Sequence, residues 1–148
     1  MPPFKFKQFS IEQNNSAMKV GTDGVLLGAW STIKESNVLD IGAGTGLIAI
    51  MLAQRNTTII IDAVEIEIEA FKEAEINSNN CVWKNRINVY NKAIQKFESQ
   101  KKYDTIISNP PFFIDSTKAP KSGRNSARHT DELSFNDLIT NVTQLLNP

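Results

Sequence analysis

The sequence is poor in the residues that would make a disulfide scaffold or a metal centre. It holds one cysteine, Cys81, and one histidine, His129, in 148 residues. A single cysteine closes no internal disulfide, and without a Cys/His cluster at ligand spacing no metal is expected. Charge of one sign is also missing, since 16 Lys and Arg balance 16 Asp and Glu. The whole chain therefore carries no field that attracts polyanions, and any nucleic-acid surface has to be a local patch. No apolar run comes near the roughly 18 residues that a spanning helix requires. The opening stretch MPPFKFKQFSIEQNN lacks the apolar core of a secretory signal. No membrane partner is expected, and a cytoplasmic location follows as the default.

What remains is the composition of one domain, with 41% hydrophobic residues to build a core. One segment concentrates positive charge. Lys118, Lys121, Arg124, Arg128 and His129 fall between Asp115 and Asp131 with no acid among them. Ser, Gly, Pro and Asn surround them, so the segment reads as a loop, either merely solvated or a patch for a phosphate backbone.

Hydrophobic periodicity divides the rest. Phe4 and Phe6 alternate with Lys5 and Lys7, as in a short strand or extended arm with one apolar face. Residues 17–24 (AMKVGTDG) read as a loop entering a helix, capped by Thr22 or Asp23 and continuing through Val25, Leu26, Leu27 and Trp30. Strands are predicted over residues 37–41, 58–64, 87–90 and 103–108. The second is almost continuously β-branched, as a strand covered on both faces would be. Helices are predicted over 47–54 and over 67–79, where charged residues interleave with Ile68, Phe71, Ala74 and Ile76. Ser134 with Asp137 opens a last helix by a capping box. Strand and helix alternate, which predicts an α/β fold with a parallel sheet and right-handed crossovers. The chain ends on Leu145-Leu146-Asn147-Pro148, and the Asn-Pro pair is a turn signal where a further strand is expected to begin.

The first sheet strand runs straight into Gly42-Ala43-Gly44-Thr45-Gly46. A glycine-rich turn between strand and helix lets a ligand approach bare backbone at a helix N-terminus. The dinucleotide fingerprint would put its third glycine at position 47, where this chain has Leu47. Asp40, just before the loop, is a carboxylate that suits an ammonium better than a pyrophosphate. S-Adenosyl-L-methionine carries an ammonium and a sulfonium and no phosphate. Glu65 ends the second strand, where an acid in such folds faces ribose hydroxyls. Its carboxylate could accept from both hydroxyls in charge-assisted bonds of about 1.5–3 kcal/mol each. Glu67 and Glu69 are better explained as acids at a helix start. The spacing alone also fits a tight turn that only packs helix on strand.

Ser108-Asn109-Pro110-Pro111-Phe112 follows the fourth strand, at the carboxyl edge where open α/β sheets bind ligands. An amino nitrogen conjugated with a ring is a poor nucleophile because its lone pair is delocalised. The Asn109 side-chain oxygen and the Pro110 carbonyl can accept its two N–H groups and hold it while it pyramidalises. Pro110 and Pro111 stiffen the backbone that positions those acceptors. Phe112 can stack on the ring, worth about 1–3 kcal/mol for a nucleobase. Taken alone, the motif also fits a rigid turn.

Together these residues resemble the tRNA adenine-N6 methyltransferases that act on valine tRNA beside the anticodon. The resemblance covers most of the chain. It rests on Phe6-Lys7-Gln8-Phe9, residues 17–24, Leu39-Asp40-Ile41 with the glycine loop, Ile61-Asp62-Ala63-Val64-Glu65, and residues 107–112. It implies a Rossmann-like class I methyltransferase sheet with helices on both faces, S-adenosyl-L-methionine as cofactor and tRNA as partner. It further implies that Lys19, Gly21, Thr22 and Asp23 border the methionine end of the cofactor. Asp40, Gly42, Ala43, Gly44, Gly46, Glu65 and Asn109 would hold it, and Arg124 to His129, with Lys118 and Lys121, would lie near the RNA. Residues 1–33 form an N-terminal arm and cofactor-capping helix, and 34–148 the Rossmann-like core.

Two departures stand out. After the third strand the family has an acid that meets the cofactor adenine, and here Ala93 takes its place. Family members also continue past the final helix with further strands, so the sheet looks truncated after the helix that follows the 103–108 strand. That strand is then expected to offer an open edge for self-association. Two other functions fit the same motifs: methylation of a glutamine amide in a protein, and a cofactor- or RNA-binding remnant without turnover.

Overall fold

The computed structural model describes residues 2–34, 36–110 and 134–148. Pro111, Phe112 and the basic segment from Lys118 to His129 lie outside them.

Two short strands, β1 (Phe4–Lys5) and β2 (Ser10–Ile11), pair antiparallel in the N-terminal arm. Phe6 and Phe9 stack with ring centroids 4.5 Å apart, and Phe9 meets Trp83 edge-on. The arm is thus held to the body by aromatic surface. The remaining elements are α1 (Thr22–Trp30), β3 (Asn37–Ile41), α2 (Leu47–Arg55), β4 (Ile60–Glu65), α3 (Ile68–Asn80), β5 (Ile87–Asn91), β6 (Thr105–Ser108) and α4 (Phe135–Leu145). Strands β3 to β6 form one parallel sheet in the order β5-β4-β3-β6. The chain runs outward one way from β3 to β5 and the other way to β6. The carboxyl ends of β3 and β6 therefore flank the switch point, where such sheets bind ligands.

Alternating residues of the strands build a core on each side. Val38, Ile61 and Ala63 pack with α2 and with Ile11, Val25 and Leu27 on one face. Leu39, Ile41 and Val64 pack with Tyr103, Leu138, Val142 and Leu145 on the other. Helices cover both faces, as expected. Every residue of α2 from Leu47 to Ala53 is buried, which explains its continuous apolar run. α1 lies close on α2 at Gly28, where a Cβ would come 2.7 Å from Met51 Sδ. On the far face the buried Asp62 carboxylate accepts from Tyr103 Oη at 2.6 Å and Asn88 Nδ2 at 2.8 Å, and pairs with Lys101 Nζ at 2.9 Å.

Four expectations change. α1 is capped by Gly21 without a side-chain bond, because Thr22 and Asp23 already lie in its first turn. β4 begins at Ile60 and not at residue 58, because Thr58 N and Oγ1 both donate to the Asn56 side chain, a local turn that competes with strand pairing. α3 has nearly the predicted span but a rotated face. Ile68 and Ile76 are 46% and 49% exposed, whereas Ala70, Glu73, Ala74, Asn77 and Ser78 are buried. The end of the chain does more than turn. Tyr103 N donates to Leu145 O and Asn147 N to Tyr103 O, each at 2.8 Å, so a parallel bridge begins on the outer edge of β6. Ser134 caps α4 as predicted, accepting from the Asp137 N–H at 3.1 Å. Among the described residues no helix is long and apolar enough to cross a membrane.

Candidate active site

The turn after β3 is one that only glycine accommodates without strain. Gly42, Gly44 and Gly46 have φ of 71°, 56° and 81°, values that place an L side chain against its own backbone. The N–H groups of Gly42 and Ala43 both donate to Val64 O, at 2.8 and 3.1 Å. The Gly44 N–H donates to Glu65 Oε2 at 2.8 Å, while Glu65 Oε1 accepts from Glu67 N at 2.8 Å. Glu65 is 7% exposed, so its carboxylate ties the glycine loop to the end of β4. Each of its oxygens retains a further lone pair for a hydroxyl donor. Ile66 beside it is 46% exposed and offers an apolar flank.

The end of β5 braces this corner. Asn91 Nδ2 donates to Glu65 O at 2.9 Å and Ile66 O at 3.1 Å, and Lys92 N donates to Glu65 O at 3.1 Å. Ala93 follows, half-buried, and caps the short turn Ile94–Lys96. Its side chain offers only a methyl group at this corner.

Asp40 faces α2 from within the sheet and is fully buried, with neither carboxylate oxygen hydrogen-bonded among the described residues. Loss of hydration raises its pKa to about 7; the backbone N–H of Ala49, in the first turn of α2, is aimed at it without reaching hydrogen-bond geometry and only partly opposes this, and the Glu65 charge adds to the rise. A buried acid left without a partner costs stability unless something else uses it.

Asn109 reaches the same crevice from β6. Ser108 Oγ donates to Ile41 O at 2.8 Å and pins the end of β6 to the end of β3. A Cβ on Gly24 would stand 3.8 Å from Asn109 Nδ2 and 3.4 Å from Leu47 Cδ2, so α1, the α2 N-terminus and Asn109 meet at one point. The structure thus places Asp40, the glycine loop, Glu65, Ala93, Asn109 and Pro110 along the carboxyl edge of the sheet. Gly21, Thr22 and Asp23 lie at the mouth of α1, exposed. Lys19 differs. Its ammonium donates to the carbonyls of Gln13, Asn14 and Ser16, the last at 2.9 Å, so its charge stabilises the arm's own turn.

Sequence reasoning missed Glu73, Asn77 and Asn91. Glu73 accepts from the N–H groups of Asn15 and Ser16, at 2.5 and 2.9 Å. Burial works to raise its pKa, but these donors together hold it below the ordinary carboxylate value. All three residues act on backbone, and nothing in helix or strand periodicity marks a side chain that does so.

A parallel sheet with a left-handed glycine loop after its first strand, an acid after its second and Asn-Pro after its fourth defines a Rossmann-like methyltransferase fold. The chain belongs to the methyltransferase small domain family, whose family model matches residues 15–131. It is 51% identical over 150 residues to a tRNA1(Val) (adenine(37)-N6)-methyltransferase of Parabacteroides distasonis, covering 99% of this chain and 63% of that protein. A protein of the same name from Trichodesmium erythraeum is 51% identical over 149 residues, covering 97% of this chain and 62% of the relative. The chain thus spans less than two thirds of the curated relatives it matches. Among solved structures, a SAM-dependent methyltransferase from Thiobacillus denitrificans in complex with S-adenosyl-L-homocysteine superposes with a TM-score of 0.61 at 15% identity, over 86% of this chain and 45% of that one. A glycopeptide N-methyltransferase gives 0.60 at 14% identity, over 86% and 50%.

Proposed function

We propose that this chain carries the catalytic centre of an S-adenosyl-L-methionine-dependent methyltransferase that modifies the N6 amino group of an adenine in tRNA. The observation that carries the reading is Asp40: a fully buried carboxylate with no partner in hydrogen-bond geometry among the described residues, two residues before the glycine loop. An ammonium is the group such an acid would pair with. The names of the relatives favour adenine in valine tRNA, and a tRNA substrate makes the cytoplasm the expected location.

In this reading Asp40 takes the ammonium of the cofactor, Glu65 its ribose, and Ile66 and Ala93 flank its adenine. Residues 19–23 border the methionine end, as part of an arm spanning 1–33. The bound cofactor supplies an electrophilic methyl group on a sulfonium. The protein's own work is to orient the acceptor. Asn109 Oδ1 and the Pro110 carbonyl accept the two N–H groups of the adenine, Phe112 stacks on its ring, and Lys118, Lys121, Arg124, Arg128 and His129 meet the phosphates. The methylated nitrogen loses its proton to water, so no side chain has to act as base. We also propose that a second copy of the chain pairs on the outer edge of β6.

The test is nucleoside mass mapping after incubation with cofactor and unmodified tRNA. N6-Methyladenosine at one position is expected. Asn109→Ala should lower turnover by about 100-fold or more with little change in cofactor affinity, because its oxygen acts on the reacting nitrogen. Methyl groups on a protein glutamine, or cofactor binding without turnover, would replace this reading with one of the other two.

A further inference from the structure

The buried polar face of α3 does more than fill space. Asn77, 1% exposed, donates through Nδ2 to Thr45 O at 2.8 Å and to Glu12 O at 3.0 Å. Its Oδ1 accepts from Glu12 N at 2.8 Å. One amide therefore grips the arm from both sides of Glu12 and grips the glycine loop at Thr45. One turn earlier, Glu73 takes the N–H groups of Asn15 and Ser16, while the Lys19 ammonium takes the carbonyls of Gln13, Asn14 and Ser16. The 12–16 turn is thus held by an anion on its N–H side and a cation on its C=O side. Between these two anchors α3 touches the loop directly: a Cβ on Gly46 would lie 3.4 Å from Ala74 Cβ.

We propose that Asn77 and Glu73 are positioning residues that clasp the N-terminal arm to the glycine loop, so that the two order together and ligand binding at the loop depends on the seated arm. Neither side chain touches the ligand. Asn77 acts because an amide offers two donors and an acceptor in one plane, which suits two carbonyls and an N–H. An unpaired carbonyl at Thr45 would be buried, since Thr45 is 5% exposed, and a buried unmet acceptor is avoided by moving the loop. Glu73 acts at one remove, by keeping the arm where Asn77 can hold it. The ligand half of this proposal rests on the cofactor reading above; the coupling of arm and loop does not.

The experiment compares the native chain with Asn77→Asp and Glu73→Gln. Asn77→Asp keeps the shape and the acceptor but turns the donor pair into an oxygen facing two carbonyls. Glu73→Gln makes no contact with the glycine loop, so any effect there must travel through the arm. Hydrogen exchange should show residues 12–16 and 42–46 losing protection together in both variants, at least tenfold, while the amides of β3 and β4 keep theirs. S-Adenosylhomocysteine, titrated calorimetrically, should bind both at least tenfold more weakly. Loosening of 12–16 in Glu73→Gln with 42–46 unchanged would overturn the clasp. So would native affinity in both variants. If the native chain binds no S-adenosylhomocysteine, the cofactor reading fails, and the exchange data still decide whether arm and loop are coupled.

Discussion

At the scale of single residues, Asp40 is the side chain whose environment makes the strongest demand. Its ordinary pKa is near 3.8 and burial lifts it to about 7. Between those values the folded chain holds a proton that the unfolded chain has lost. Its contribution to stability is therefore full below the lower value and is lost as pH rises through about 7. Three pKa units correspond to about 4 kcal/mol at most. A ligand ammonium reverses the preference by favouring the ionised acid. The affinity for S-adenosylhomocysteine is thus expected to fall as pH drops from 8 to 6, with proton release on binding below 7. Asp40→Asn should flatten that profile and bind more weakly at pH 8, yet raise the thermal midpoint of the free chain there. Calorimetry in buffers of different ionisation enthalpy reads both effects; a pH-independent native affinity would remove Asp40 from the site.

The positions of Asp40, Glu65 and Asn109 were legible because each follows or ends an apolar run near the carboxyl edge, a place that strand prediction supplies. What they do in the free chain was not. Glu65 holds the Gly44 and Glu67 N–H groups, and contacts to backbone leave no trace in residue type. Lys19 was singled out by its place in a selective motif; that its ammonium gathers the carbonyls of Gln13, Asn14 and Ser16 was not legible from that motif.

At the scale of elements, β3, β5, β6 and α2 appear nearly where the pattern put them, because continuous apolar runs and glycine breaks report burial directly. α3 was read from Ile68, Phe71, Ala74 and Ile76; Ala74 is buried, but Ile68 and Ile76 are exposed, and Glu73, Asn77 and Ser78 are buried beside the alanines. Periodicity scores polar residues as exposed, so a helix that buries hydrogen-bonding side chains is read with its face turned. The C-terminus of α2 gives another such case. Its last carbonyls would be orphaned, and Arg86 meets one of them and two just beyond the helix: Nη2 donates to Ala53 O at 2.7 Å, and Nη1 to Asn56 O at 2.8 Å and Ile59 O at 3.2 Å. Arg86→Met is expected to cost about 1–2 kcal/mol in denaturant unfolding, as charged donors to partly buried carbonyls do. Arg86→Lys should recover little of it, since an ammonium cannot span three carbonyls as the guanidinium fork does. Equal stability of the native and methionine forms would make the contacts incidental.

At the scale of the whole molecule, the two edges of the sheet differ. β5 carries Asn88 and Tyr90 with Asn91, polar groups that discourage pairing. β6 reads Thr-Ile-Ile-Ser, with neither the Lys nor the Pro that usually blunts an edge. The bridge between Tyr103 and Leu146 lies two residues before it, and among the described residues 105–108 pair on one side, with β3. Above this edge α4 turns Leu138, Val142 and Leu145 inward but leaves Phe135 and Ile139 63% and 59% exposed. An open strand beside an apolar helix flank is a surface that a second copy can use in the same way. The 148-residue chain is therefore expected to self-associate with concentration, seen by light scattering after size exclusion. Amides of 105–108 should gain protection as it does. Ile139→Lys charges the flank without touching the core, so it should weaken association at least tenfold while changing unfolding free energy by no more than about 0.5 kcal/mol. A chain that stays monomeric at every concentration, with exchange over 105–108 unchanged, would show that the edge is closed in some other way.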